Sequence, residues 1–311
     1  MRIGLVSDSL GHLSLDKLLA KAAELGIEML EFGCGNWSNA PHLKLDAMLA
    51  DVGMRRKFVA KLRGHAIAIS ALNCSGNPLH PGEPGERHRG VTSATIRLAG
   101  LLGVERVVMM SGCPGGPGDA NANWITTAWP PEAARVLTWQ WDTVLIPYWA
   151  SLVEEARAAG VKKLCLELHG QQNVYNVETL LRLRAAVGPT IGANLDPSHL
   201  FWMGADPLAA IRSLREAIYH VHAKDTRLDR AMSAINGVID TMPMERLLDR
   251  SWSYVTIGVG HGEQWWSEFC ALLRLVGYDD VLSIEHEDLL LSPEEGVRRS
   301  VTLLRGAIQS G

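Results

Sequence analysis

Nowhere in its 311 residues does the chain present a CxxC pair, and its five cysteines (Cys34, Cys74, Cys113, Cys165 and Cys270) are odd in number and widely spaced. That pattern excludes a disulfide framework and a structural zinc knot, leaving reduced thiols that line a core or a site. No charge of one sign dominates: 30 Lys and Arg stand against 34 Asp and Glu, for a formal charge of −4. The basic residues are scattered, with no stripe to follow a phosphate backbone, so nucleic acid is not an expected partner. No apolar run approaches the length of a bilayer span, and the start MRIGLVSDSLGH lacks both a long apolar stretch and a small-residue cleavage site. A cytoplasmic protein without membrane contact is expected. A P-loop is absent too, which favours an unphosphorylated ligand.

The chain does have ample apolar material, 47% of its residues, in a repeating order. Eight short apolar runs stand out: RIGLVSD, EMLEFGCG, AISALNCS, RVVMMSG, KLCLELHG, IGANLD, YHVHAKD and VLSIEHED. Amphipathic segments such as LDKLLAKAAEL, IPYWASLVEEARAA and NVETLLRLRAAV separate them. Several of these helices stop at a glycine placed to turn the chain back toward the sheet, at Gly26, Gly103, Gly160 and Gly277. Strict alternation of strand and helix implies parallel strands joined by right-handed crossovers, and eight such units close most economically into an α/β (β/α)8 TIM barrel. A doubly wound open sheet is the alternative. One barrel over residues 1–311 is expected, with long strand-to-helix insertions at about 113–147 and 226–262.

Strand parity then selects residues. Leu164, Leu166 and Leu168 share one face of the fifth strand, so Cys165, Glu167 and His169 share the other. Asp196 ends the sixth strand, with His199 on the turn after it. His220 and His222 point to one side of the seventh with Lys224 above them, and Ser283, Glu285 and Glu287 share the interior parity of the eighth. Four consecutive strands thus each bring one good metal ligand to the C-terminal rim: Glu167, Asp196, His222 and Glu285. A single buried His is more often a satisfied core group, and a lone Asp after a strand is usually the cap of the next helix. Three carboxylates converging without a counter-charge would raise one another's pKa, however, and a divalent cation is the simplest physical resolution.

These motifs, LELHG, NLDPSHLFWMG, HVHAKD, the G-x-G turn of IGVGHG, and GYDDVLSIEHED, resemble the xylose-isomerase-like barrels of the sugar phosphate isomerase and epimerase superfamily, which includes ketose 3-epimerases and inosose dehydratases. The resemblance spans essentially the whole chain. It implies that Glu167, Asp196, His222 and Glu285 bind one divalent metal, and that His199 contacts substrate. Arg227 lies near the position of a family arginine that touches a substrate oxygen. The Trp-rich segment after the fourth strand is longer than in the simple ketose epimerases.

An oxygen-rich set with one imidazole suits Mn²⁺ first, with Mg²⁺, Co²⁺ and Zn²⁺ as alternatives. The expected reaction is isomerisation or epimerisation of a keto-sugar or related polyol ketone through a metal-stabilised enediolate, with Glu167 and Glu285 as the catalytic acid and base on opposite faces. His169, His199, Lys224 and Arg227 would hold substrate. Trp124 and Trp129, in the first insertion, would present indole faces to it; alternatively that cluster clamps the long loop to the barrel. The runner-up is a lyase that uses the same proton abstraction to expel water from an inosose or an aglycone from a keto-glycoside. A three-metal phosphodiesterase would need further histidines near the ends of strands two to four, where this chain offers Gly35, Asn73, Cys74 and Ser111. A non-catalytic carbohydrate-binding barrel is the remaining rival. The expected partner is a small carbohydrate, and a Trp-rich lid is also compatible with a homo-oligomer contact.

Overall fold

The computed structural model describes residues 1–311. Its strands are β1 (Arg2–Val6), β2 (Met29–Gly33), β3 (Ala68–Asn73), β4 (Arg106–Met109), β5 (Lys163–Glu167), β6 (Ile191–Leu195), β7 (Ile218–Ala223), β8 (Asp225–Leu228), β9 (Trp252–Val255) and β10 (Val281–Ile284). Eight of them follow the order β1-β10-β7-β6-β5-β4-β3-β2 and close on themselves, the (β/α)8 arrangement expected from the alternating pattern. The ladders are parallel, as in Gly4 opposite Ser283 and Glu167 opposite Asn194. All eight apolar runs became barrel strands. Gly26 and Gly103 end their helices at φ of 65° and 68°, the left-handed conformation that a side chain would resist.

Contacts gather the chain into two compact units. One holds Met1–Glu31, Leu62–Ser70 and Leu195–Gly311. In it β1 pairs with β10 and β10 with β7, while the helix Glu263–Leu275 packs against the helix Pro293–Ser310. The second holds Phe32–Lys61 and Ala71–Asn194, with β4, β5 and β6 in consecutive pairing. Leu164 and Leu166 are fully buried there, as the parity of β5 requires. All five cysteines are buried and free.

The two insertions contain more regular structure than their composition announces. In the first, the irregular part ends at Pro130, and a helix (Pro131–Trp139) passes through a wide π turn (Gln140–Leu145) into the helix Ile146–Ala158. Pro131 opens a helix where its missing N–H costs nothing, and Pro147 falls just after the π turn, so neither proline breaks the run. Trp141 is buried in this turn beneath the Arg182 guanidinium, 4.0 Å from its ring centre, and Trp149 is buried with its Nε1–H donated to Ser111 O. In the second insertion β8 and β9 form an antiparallel ribbon, with Asp225 opposite Val255 and Leu228 opposite Trp252. No helix is long and apolar enough to cross a membrane.

Candidate metal centre

Glu31, Asp196, His199, His220, His222 and Lys224 are buried ionisable groups of the first unit that lie on or just after its strands. His220 and His222 alternate with Val221 on β7 and, as their shared parity dictates, face the same interior; both are fully buried. His222 Nε2 lies 3.1 Å from each oxygen of Glu31, and His220 Nε2 lies 2.7 Å from Glu31 Oε2. Ser283 Oγ donates to the same oxygen at 3.3 Å. Burial by itself would raise the Glu31 carboxyl, but the two imidazoles hold it well below the usual carboxylate range. Glu31 was not singled out from sequence. The signal was there, a lone carboxylate between the buried Met29, Leu30 and Phe32 of β2.

The other side of His222 faces the rim, with Nδ1 3.4 Å from Glu285 Oε2. Asp196, directly after β6, caps the helix Pro197–Trp202 by accepting from Ser198 N at 2.8 Å, so the modest structural role expected of such an Asp is real. Its other oxygen, Oδ2, is buried, makes no hydrogen bond, and stands 3.2 Å from His199 Nε2. Asp196, His222 and Glu285 each offer a ligand atom within 4.8 Å of the others. Asp196 thus caps the helix through Oδ1 and leaves Oδ2 toward His222 and Glu285.

Lys224, buried though charged, donates to Glu285 Oε2 at 3.1 Å, pairs with Glu287, and sits 4.2 Å from the centre of the Tyr254 ring. Burial would lower its pKa, but Glu285 and Glu287 raise it well above the lysine value, so it remains an ammonium. His199 is buried, and its Nδ1 receives Tyr254 OH at 3.0 Å and Trp202 Nε1–H at 3.4 Å. An indole can only donate, so His199 Nδ1 accepts and its proton resides on Nε2, beside Asp196. Tyr254, on β9, is not among the residues expected from sequence, because nothing local in the 226–262 insertion marks a strand there.

In the second unit, Glu167 closes β5, almost wholly buried, and accepts from Asn194 Nδ2 at 2.9 Å. Asn194 is its partner across the ladder and stands two residues before Asp196. Glu167 and His169 bring ligand atoms within 4.8 Å of each other, and His169 Nδ1 contacts Gly170 O. Trp124 is half-buried and packs edge-on against Tyr175, with ring centres 5.5 Å apart. Trp129 is 74% exposed. Arg227 is exposed on β8 opposite Ser253. Thus Asp196, His199, His222, Lys224 and Glu285 form one tight group, whereas Arg227 and Trp129 point to solvent.

The seventh strand's successor, Asp225, is a structural hub. It is fully buried and its Oδ2 accepts from the backbone N–H of Gly258 (3.0 Å), Gly260 (3.1 Å) and His261 (2.9 Å), while Oδ1 meets His261 Nδ1 at 2.8 Å. A Cβ on Gly260 would lie 2.4 Å from Thr226 O and 2.6 Å from Asp225 Oδ1, which explains the glycine. The G-x-G turn is thereby the seat of a carboxylate, and His261 stacks on Phe201 at 3.7 Å above it.

A closed parallel eight-stranded barrel with a buried carboxylate and imidazole group at its strand ends defines the class of (β/α)8 barrels with a candidate metal centre. Residues 19–307 match the family described as xylose isomerase-like TIM barrel, and the chain belongs to that family. It is 51% identical over 311 residues, 99% of each chain, to the Bacillus subtilis (strain 168) uncharacterized protein YfiH. Among solved structures it resembles the probable 3-DHS dehydratase AsbF from Bacillus anthracis, at 16% identity and a TM-score of 0.69, covering 98% of this chain and 99% of that one. It also resembles L-ribulose 3-epimerase, at 18% identity and a TM-score of 0.67, covering 99% and 95%. At such identities these likenesses show the fold.

Proposed function

We propose that this chain is a divalent-metal-dependent sugar isomerase or epimerase acting on a keto-sugar or related polyol ketone, with Glu167, Asp196, His222 and Glu285 as ligands. The observation that carries the reading is the approach of Asp196, His222 and Glu285 within 4.8 Å of one another in a buried setting. Two carboxylates at that separation repel by about 3 kcal/mol at an effective dielectric near 20. Lys224 offsets part of this at Glu285, but Asp196 Oδ2 makes no hydrogen bond. A cation that takes oxygen ligands and one imidazole fits this donor set, and Mn²⁺ suits it best. When bound, such an ion supplies Lewis-acid polarisation of a substrate carbonyl.

The chain's own residues would then manage the proton. Glu167 Oε2 accepts from Asn194 and Glu285 Oε2 from Lys224, bonds that would hold each carboxylate in place for the transfer. With one glutamate removing the proton next to the carbonyl and the other returning one on the opposite face, the configuration inverts. His199 Nε2–H is placed to donate to a substrate oxygen near Asp196, and Lys224 adds a fixed positive charge. His169, Trp124, Trp129 and Arg227 belong to this proposal as substrate contacts, the last two only if their segments close over the ligand.

Incubation of metal-replete protein with a panel of ketoses, inososes and 3-keto-glycosides in D₂O, followed by NMR, tests the reading. Deuterium incorporation at the carbon next to the carbonyl, with stereochemical change, supports it. Loss of a substituent assigns a lyase instead. Absence of exchange with every substrate overturns both.

A further inference from the structure

Glu31, on β2, is a fully buried carboxylate that the proposed metal and substrate contacts do not use. Three side chains converge on it: His220 Nε2 at 2.7 Å, His222 Nε2 at 3.1 Å to both oxygens, and Ser283 Oγ at 3.3 Å. An ionised carboxylate only accepts hydrogen bonds, so each imidazole must carry its proton on the nitrogen that faces Glu31. For His222 this settles the chemistry of the opposite nitrogen. With Nε2 occupied by the proton, the lone pair of a neutral ring belongs to Nδ1, the atom 3.4 Å from Glu285 Oε2.

We propose that Glu31 is a positioning residue that fixes the tautomer and ring orientation of His222, so that Nδ1 is presented to the metal. This rests on the proposed metal centre. The second imidazole, His220, shares the carboxylate and stands edge-on to His222, ring centres 5.6 Å apart, so that Glu31 is held from both sides and cannot rotate away. All four groups are buried, and the pairing is protected from exchange with water. Hydrogen bonds of this kind to the remote nitrogen of a ligand histidine raise its basicity and hold its plane.

The test uses the full chain and Glu31→Gln. Glutamine keeps the shape but puts an N–H₂ in place of one carboxylate oxygen, and because His222 Nε2 lies 3.1 Å from both oxygens it meets that N–H₂ whichever way the amide turns, which drives His222 to the Nδ1–H tautomer. Mn²⁺ affinity, read by titration calorimetry, should fall roughly 10- to 100-fold, while Ser283→Ala, which removes a bond to Glu31 but none to a ring, should change it less than about threefold. Long-range ¹H–¹⁵N spectra of the metal-free protein at pH 8 should show His222 protonated on Nε2 in the wild type and on Nδ1 in Glu31→Gln. Wild-type affinity in a folded Glu31→Gln protein overturns the proposal, as does an unchanged Nε2–H on His222. If the wild type binds no divalent ion, the metal reading fails, and the spectra alone still decide what Glu31 does to the ring. Should Glu31→Gln not fold, the same two readings are taken on Glu31→Asp, which withdraws the acceptor by one methylene; unchanged affinity and unchanged spectra there overturn the proposal.

Discussion

Tyr254 reaches back 55 residues along the chain to place its hydroxyl 3.0 Å from Nδ1 of His199. That bond, made from β9, ties the second insertion to the histidine beside Asp196, whose proton it helps hold on Nε2. Tyr254→Phe removes the hydrogen bond and keeps the ring that Lys224 overlies. Turnover of the substrate identified in D₂O should fall about tenfold, less than the roughly 10²-fold that removing a positioned acid or base costs because the histidine itself stays in place, with bound metal unchanged in elemental analysis. Full activity in Tyr254→Phe would reduce the contact to loop packing.

The metal itself is open to direct measurement. Protein purified without chelator should carry about one divalent ion per chain, lose activity in EDTA and regain it with Mn²⁺. His222→Ala should weaken binding more than 100-fold and His220→Ala about tenfold, since His222 has a nitrogen at Glu285 whereas His220 works through Glu31. Equal affinities in the two variants would reverse that assignment.

Acid–base chemistry separates from metal binding in Glu167→Gln and Glu285→Gln. Each keeps a carbonyl oxygen able to coordinate but loses the ionisable oxygen, so rates should drop about 10² to 10⁴ with metal retained. In an epimerase, each variant should still exchange deuterium into the one epimer whose base survives. Near-wild-type rates in both would move the base to His169, since Lys224 stays an ammonium and His199 carries its proton on Nε2.

Asp225 makes a prediction about stability alone. Asp225→Asn substitutes a neutral side chain for a buried carboxylate that accepts four backbone N–H groups, from Thr226, Gly258, Gly260 and His261, and faces the His261 ring. About 2 to 4 kcal/mol should be lost in denaturant unfolding, the scale of hydrogen bonds to a buried charge. Gly260→Ala, which forces a Cβ against Thr226 O, should destabilise by a similar amount. Neither change should lower metal affinity more than about threefold if Asp225 acts on the turn and not on the centre.

Much of this was legible in the residues because a strand has period two. Alternation in KLCLELHG and YHVHAKD is enough to separate Leu166 from Glu167 and Val221 from His222, and the glycines at 26, 103, 160 and 277 mark four of the returns to the barrel. Glu31 was not legible, since its partners His220 and His222 lie 189 and 191 residues away and nothing local distinguishes a buried carboxylate with partners from one without. The β8–β9 ribbon escaped for the same reason, because DTRL and WSYV pair across 23 intervening residues whose course no local rule fixes. In the first insertion Pro130, Pro131 and Pro147 read as breakers, yet the structure uses Pro131 at a helix start and Pro147 just past a π turn. The irregular part is accordingly shorter than the expected 113–147.

The clamp at Asp225 also bears on how such a protein can diversify. Because one carboxylate grips the chain both where it leaves β7 and where it returns at Gly258 to His261, the residues between enter and exit through a single anchored gate. Lengthening a flexible excursion between fixed ends is inexpensive, roughly 0.6 kcal/mol for each doubling. The stretch between β8 and β9, which leaves Tyr254 in place, can therefore be rewritten as a lineage adapts to a new ligand without disturbing the register of Lys224 one residue before the gate.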